Sequence, residues 1–316
     1  MLWQWDTQAL FPLMVIKEQS LDCLAFSAEG RYLAAGGQGR LWIWDLTHPG
    51  LLIAELDLGR AWVDRVSWNP RSPQLALSVG KYVQVWDADI HDIAVTLPFE
   101  SSSVLDLTWH PNGQGLTVGG YQGVKIWDSR DWDEEPYLLA IPTATLAVSW
   151  SPDGRFLASG NLDRTVVLLE WGDPNPWAMQ GFPGKVRQLI WSDQLTAAQT
   201  PLLVALTAES LVVWQKEQSE DMGWTAQPLS AHQATVRAAA FQPGSLLLAS
   251  AGSDGCLYLW SKVGVLAQLL EGVDQGFSCL AWDPQGQLLA AGGEAGEVLI
   301  WSRNQSGKGF GAKKRK

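Results

Sequence analysis

Three side chains in one stretch of the chain, His232, Ser250 and Asp254, are of the types that build a nucleophile, its base and the group that orients the base. Trp260 follows shortly after them. Acyl transfer is the chemistry such a trio would perform, yet Ser250 sits in Leu248-Ala249-Ser250-Ala251-Gly252, without the Gly-x-Ser-x-Gly turn that presents a nucleophile above a sheet. The other histidines, His48, His91 and His110, are isolated from one another and from Cys23, Cys256 and Cys279. No zinc spacing results, and neither a metal nor a cofactor is expected. Gly36-Gly37-Gln38-Gly39 and Gly292-Gly293-Glu294-Ala295-Gly296 lie between short apolar segments rather than ahead of a helix. They read as hairpin turns, not phosphate loops.

The elements that must hold these residues are repeated. The chain has 316 residues and 19 tryptophans. One aromatic register runs Phe26, Trp68, Trp109, Trp150, Trp191, Phe241 and Trp282, at intervals of 42, 41, 41, 41, 50 and 41. A later one runs Trp44, Trp86, Trp127, Trp214, Trp260 and Trp301, with Leu169 or Trp171 filling the gap. Each of the seven repeats is an alternating apolar segment, a Pro/Gly turn such as Pro152-Asp153-Gly154, a short Leu-Ala-rich segment, and a second alternating segment ending in the late aromatic. Period-two alternation between turns predicts strands. A fourth strand is expected at 51–56, 93–97, 137–141, 177–180, 224–229 and 265–270. The two registers are expected to fill gaps between sheets, whereas Trp3, Trp5, Trp62, Trp132, Trp177 and Trp224 lie off them and are expected nearer the surface.

Four strands per repeat of about 40–45 residues is the signature of a β-propeller blade. Leu41-Trp42-Ile43-Trp44-Asp45, Val83-Gln84-Val85-Trp86-Asp87 and Val124-Lys125-Ile126-Trp127-Asp128 resemble WD repeats, and Ser151-Pro152-Asp153-Gly154 through Gly160, followed by Asp163, is close to that family's consensus. The resemblance spans about residues 10–302. It implies an all-β, seven-bladed propeller of four-stranded antiparallel blades, with the N-terminal segment 10–18 completing the last blade and closing the ring. One domain over 1–303 and a flexible basic Gly/Lys tail over 304–316 follow. The resemblance also assigns His232, Ser250, Asp254 and Trp260 to a buried hydrogen-bond chain that locks a blade, a structural rather than catalytic role. The other repeats lack that set, which makes the chain a degenerate member held mainly by aromatic packing.

Charge restricts partners. The net charge is −11, and Lys308, Lys313, Lys314, Arg315 and Lys316 carry five of the positive charges, which leaves −16 on the rest. Such a body repels phosphate backbones. Nucleic acid or an anionic membrane is expected only through the tail residues Lys313, Lys314, Arg315 and Lys316. Hydrophobic residues at 47% and charged residues at 17% fit a folded chain, and no apolar run approaches the length of a membrane span. Three widely spaced cysteines and a start without a basic region fit a cytoplasmic, reducing location.

WD-repeat proteins commonly bind partners where the first strand of each repeat begins, and the residues six and four before each early aromatic flank an inward-pointing one there. This places Asp22, Trp62, Asp64, Leu105, Leu146, Lys185, Arg187 and Arg237 on one rim, joined by Leu162 and Glu294 from the turns between second and third strands. Glu294, Asp22 and Asp64 form an acidic sector, Leu105, Leu146 and Leu162 an apolar one, and Lys185, Arg187 and Arg237 a basic one. The expected function is a monomeric, non-enzymatic scaffold or assembly factor that binds one or more proteins. The alternatives are a nucleic-acid or ribonucleoprotein-associated adaptor acting through the tail and, behind it, a propeller enzyme.

Overall fold

The structure, a computed structural model, describes residues 2–4, 9–11, 13, 14 and 20–303, apart from 49, 101, 209, 219–222, 262 and 263. The fold is all-β and of β-propeller type, and the strand pairs whose register is described are antiparallel. Two compact units divide it, Met1–Val148 and Ser149–Lys316. No helix among the described residues is long and apolar enough to cross a membrane.

The first unit opens with a two-stranded ribbon, β1 (Leu2–Gln4) and β2 (Ala9–Phe11). A sheet of β3 (Leu21–Phe26), β4 (Tyr32–Asp45) and β5 (Leu51–Trp62) follows. In it β3 pairs with Leu33–Gly37, while β5 pairs with Gln38 and Arg40–Asp45, with Gly39 at φ 72° between the two stretches of β4. Next come β6 (Val66–Trp68), β7 (Gln74–Val79), β8 (Tyr82–Asp87) and β9 (Asp92–Pro98), and then β10 (Asp106–Trp109), β11 (Gly115–Asp128) and β12 (Tyr137–Trp150). The second unit continues with β13 (Phe156–Asn161), β14 (Val166–Glu170) and β15 (Trp177–Met179). Two four-stranded sheets follow: β16 (Gln188–Leu195), β17 (Pro201–Leu206), β18 (Leu211–Lys216) and β19 (Trp224–Leu229), then β20 (Val236–Phe241), β21 (Leu248–Gly252), β22 (Cys256–Ser261) and β23 (Val265–Glu271). The last sheet is β24 (Phe277–Trp282), β25 (Leu288–Gly293) and β26 (Val298–Ser302).

The expected blade count of seven is corrected to six among the described residues. Repeats 3 and 4 share one six-stranded sheet, in the order β10-β11-β12-β13-β14-β15, because β12 runs unbroken from the last strand of one repeat into the first of the next. Its sequence, Tyr-Leu-Leu-Ala-Ile-Pro-Thr-Ala-Thr-Leu-Ala-Val-Ser-Trp, contains no Gly, Asn or Asp to turn the chain, and Pro142 is compatible with extended backbone. Each anticipated fourth strand is present in β5, β9, β12, β15, β19 and β23. The ring-closing segment lies largely outside the described residues. Of it, Leu13 and Met14 pack against Leu33, Ala35, Trp42 and Trp44 of the first sheet.

Local chemistry explains the meander. Gly30, Gly113, Gly154, Gly244 and Gly286 end the turn between first and second strands with φ between 65° and 78°, a region that a Cβ disfavours. After the late tryptophan, the aspartate ties strand three back to the chain. Asp45 accepts from Arg31 Nη2 (2.9 Å), the Thr47 hydroxyl and the Thr47 amide, which outweigh the upward push of burial and hold its carboxyl down at about 2.

The early tryptophans do more than fill space. Trp68 Nε1 donates to the Ala25 carbonyl (3.1 Å), Trp109 to Ser67 (2.9 Å), Trp191 to Ser149 (3.2 Å) and Trp282 to Ala240 (3.1 Å). In every case the acceptor directly precedes the early aromatic of an earlier repeat. Each bond therefore links two repeats, and those of Trp68, Trp109 and Trp282 do so across the apolar clusters between successive sheets. Phe26, which has no such donor, is half-exposed, and Trp224, expected near the surface, is buried against Phe156 and Trp191. At the gap in the late register Leu169 is buried opposite Leu157 and Trp171 is exposed.

Candidate functional site

The sheet β20–β23 gathers the four residues that suggested chemistry. His232 precedes β20, Ser250 lies on β21, Asp254 in the turn before β22, and Trp260 on β22. His232 Nδ1 is 3.0 Å from Asp254 Oδ2, its Nε2 is 2.9 Å from Ser250 Oγ, and Trp260 Nε1 donates to the same oxygen over 2.9 Å. A neutral imidazole satisfies every atom. The indole N–H and the Nδ1–H donate, and the serine hydroxyl donates to Nε2. Asp254 is buried, which alone would raise its pKa, but the Gln233 amide (2.8 Å), His232 and the Cys256 amide (3.2 Å) lower it.

This chain of bonds has the connectivity of a nucleophilic trio, but its surroundings are those of a core. Ser250 has 0% exposure, and its oxygen already accepts the indole N–H. There is no room for a substrate carbonyl at the hydroxyl. A Cβ on Gly252 would come within 2.5 Å of His232 Nδ1 and 2.8 Å of Asp254 Oδ1, so the strand must carry glycine at this point. Repeat 4 has no comparable set: Ser159 Oγ reaches only the Val167 carbonyl (3.4 Å), and Asp163 accepts from Thr165 (2.7 Å).

Elsewhere the late indoles lack a hydroxyl. Ser250 lies two residues past Leu248, the cross-strand partner of Trp260; the same step from the partners of Trp86 and Trp214 reaches Leu77 and Ala205. The Nε1 atoms of Trp86 and Trp214 are accordingly buried without a partner among the described residues.

At the beginning of the first strands the expected alternation is present in repeats 2 to 7, whereas in repeat 1 Leu21, at the inward position, is 53% exposed. Val63, Val104, Thr145, Val186, Val236 and Phe277 are buried. Of their flanking residues, Trp62, Asp64, Lys185, Arg187 and Arg237 are exposed, and Leu105 and Leu146 half-buried. Asp22, Leu162 and Glu294 are also exposed. Backbone bonds set each such segment against a turn of the preceding repeat: the amides of Val63, Val104, Val186 and Val236 donate to the carbonyls of Gly37, Gly80, Asn161 and Ala208, over 2.8 to 3.2 Å. First-strand beginnings and second-to-third-strand turns thus share one end of the strands in each unit.

The side chains depart from the sector pattern at one place. Arg237, assigned to the basic sector, donates to Ser253 Oγ (2.8 Å) and pairs with Glu294 of the acidic one (3.4 Å). Tail residues 313–316 lie outside the described residues. Sequence reasoning missed the pair Arg65–Asp106 (3.1 Å), which joins β6 to β10. Burial pushes the Asp106 carboxyl up, partly opposed by the Val148 amide (2.9 Å) and Arg65. Its signal was one Arg and one Asp at the same repeat position, three before Trp68 and Trp109. Cys23 offers no activated thiol: it donates to the Val63 carbonyl (3.1 Å), and burial pushes its thiol up to about 12.

Among the described residues no group of His, Cys, Asp and Glu is arranged to hold a metal. The family profile "WD domain, G-beta repeat" matches residues 12–45, 93–128, 143–169, 223–261 and 264–302, more than half of the chain. The WD repeat domain-containing protein 83 of Danio rerio is 35% identical over 80 residues, a stretch that covers 25% of this chain and 25% of that protein.

Proposed function

Because this chain belongs to the WD domain, G-beta repeat family, we propose that it is a non-enzymatic scaffold that binds partner proteins at the strand ends where first strands begin. Proteins of this family generally act as protein-interaction scaffolds. One observation carries the assignment to this end: exposed Trp62, Asp64, Lys185, Arg187 and Leu162 stand beside buried residues whose amides are fixed to neighbouring turns. Such an arrangement presents side chains from a rigid backbone, so little ordering entropy is lost on binding. Aromatic and arginine side chains are favoured in interface hot spots, which singles out Trp62 and Arg187. The buried state of Ser250 supports the non-enzymatic reading, and the wide spacing of Cys23, Cys256 and Cys279 along the chain suits a cytoplasmic location.

Affinity capture with the full chain tests this. Reversing Lys185 and Arg187 to Glu is expected to abolish the main captured protein while the melting temperature hardly changes, since exposed substitutions cost within about 0.5 kcal/mol. Glu217→Lys, at the other strand end, and a chain ending at Arg303 are expected to retain it. Loss on truncation alone would favour the tail-driven nucleic-acid reading, and loss with Glu217→Lys alone would move the interface to the opposite ends.

A further inference from the structure

The second unit concentrates unpaired positive charge at one point. The turn 161–165 between β13 and β14 lies against the segment before β16: the Val186 amide donates to the Asn161 carbonyl (3.2 Å), and a Cβ on Gly160 would meet Val186 Cγ1 at 2.7 Å. Asn161 and Val186 are buried, whereas Leu162, Arg164, Lys185 and Arg187 around them are exposed. Among the described residues eight Lys and Arg side chains pair with carboxylates. In the same unit Arg155 and Lys216 pair with Glu170, and Arg237 with Glu294. Arg164, Lys185 and Arg187 make no ion pair among the described residues. The neighbouring Asp163 accepts the Thr165 hydroxyl (2.7 Å).

Arg164 carries a second signal. Its φ is 65°, and the equivalent turn position, five residues past the Ser250 position, is Gly255 (71°) in repeat 6 and Gly296 (91°) in repeat 7. Glycine adopts this conformation without penalty and arginine does not. The chain thus keeps a cation where its own sister repeats use the residue that the backbone prefers. A strained residue of this kind at an exposed turn points towards function rather than folding.

We propose that Leu162, Arg164, Lys185 and Arg187 form a seat for an acidic segment of a partner protein, with the three cations taking carboxylates and Leu162 an apolar side chain between them. The proposal rests on the scaffold reading above and adds the chemistry of the partner. A protein segment is favoured over nucleic acid because the rest of the chain is strongly negative and repels a long polyanion, whereas a short acidic stretch meets only the local positive field. A phosphate backbone also has no counterpart for Leu162.

Fluorescence anisotropy with the full chain provides the test. The probes are a fluorescein-labelled ten-residue Asp/Glu peptide containing one leucine and an oligothymidylate of equal length. The peptide is expected to bind and the oligonucleotide not to. Arg187→Glu is expected to weaken the peptide by about 10-fold, the effect of one strong charge contact. Arg164→Gly is expected to weaken it several-fold while leaving the melting temperature unchanged or raised, an outcome that misfolding cannot mimic. Absence of peptide binding, equal binding by both variants, or preference for the oligonucleotide would each overturn the proposal. If the peptide fails but the Lys185/Arg187 reversal still abolishes capture, the scaffold reading stands and only the acidic partner class falls. If the peptide binds at the seat and capture is unaffected, the scaffold interface lies elsewhere.

Discussion

Ser250→Ala is expected to lower the unfolding free energy by about 3 kcal/mol, because one substitution strands two buried groups and each costs about 1–3 kcal/mol when left unsatisfied. The alanine removes the acceptor of the Trp260 indole (2.9 Å) and the partner of His232 Nε2 (2.9 Å). The imidazole then keeps only Asp254 as a side-chain hydrogen-bond partner, with no solvent to replace the loss. Ser250→Thr retains the hydroxyl and is expected to recover most of the difference if the extra methyl group fits the packed strand. Urea unfolding of the two variants measures this directly. A loss below about 0.5 kcal/mol for Ser250→Ala, the range of ordinary surface changes, would show that the hydrogen-bond chain does not hold the sheet. Labelling of Ser250 by a fluorophosphonate in the native protein would show instead that the hydroxyl is reachable and nucleophilic.

A second large effect separates the two tryptophan registers. Trp109 donates to the Ser67 carbonyl of the preceding sheet and is buried, so Trp109→Phe loses both a hydrogen bond and part of the packed volume. About 1 kcal/mol for the bond and a further 1–2 for the cavity give an expected loss of about 2–3 kcal/mol. Trp86 is equally buried, but its indole N–H has no partner among the described residues. Trp86→Phe removes that orphaned donor together with the volume, and the two changes oppose each other. Its cost is expected to be at least about 1 kcal/mol smaller, the value of the missing bond. Equal losses in paired thermal unfolding experiments would mean that the early indoles act by volume alone.

Features whose cause is local along the chain were legible in the sequence. The fourth strand Trp224–Leu229 was marked by alternation and turn residues and coincides with β19. His232, Ser250, Asp254 and Trp260 could be grouped because they fall at fixed positions in one repeat, and a meander brings such positions together whatever surrounds them. Features decided by a neighbouring repeat were not legible. Trp224 looked like a surface residue because nothing near it in sequence covers it; Phe156, from the preceding sheet, and Trp191, three strands earlier in its own sheet, do so. The pairing of Arg237 with Glu294 depends on the start of β20 meeting a turn of the next repeat, and it removes Arg237 from the free basic charge. The count of blades changed from seven to six because periodicity locates repeats but not sheet borders. Between Tyr137 and Trp150 the chain lacks the residues that would impose a border.

The measurement that tests the scaffold account most directly is cross-linking mass spectrometry on complexes captured with the full chain. Two lysines of the second unit serve as opposed reporters. Lys185 is next to Val186, whose amide is fixed to the Asn161 turn, while Lys216 ends β18 and pairs with Glu170 and, across the sheet, with Trp224. These positions are at opposite ends of the strands. The account predicts cross-links from Lys185 to the partner and none from Lys216, with partner peptides that are rich in Asp and Glu. Cross-links confined to Lys216, or captured complexes with no link to Lys185, would contradict it.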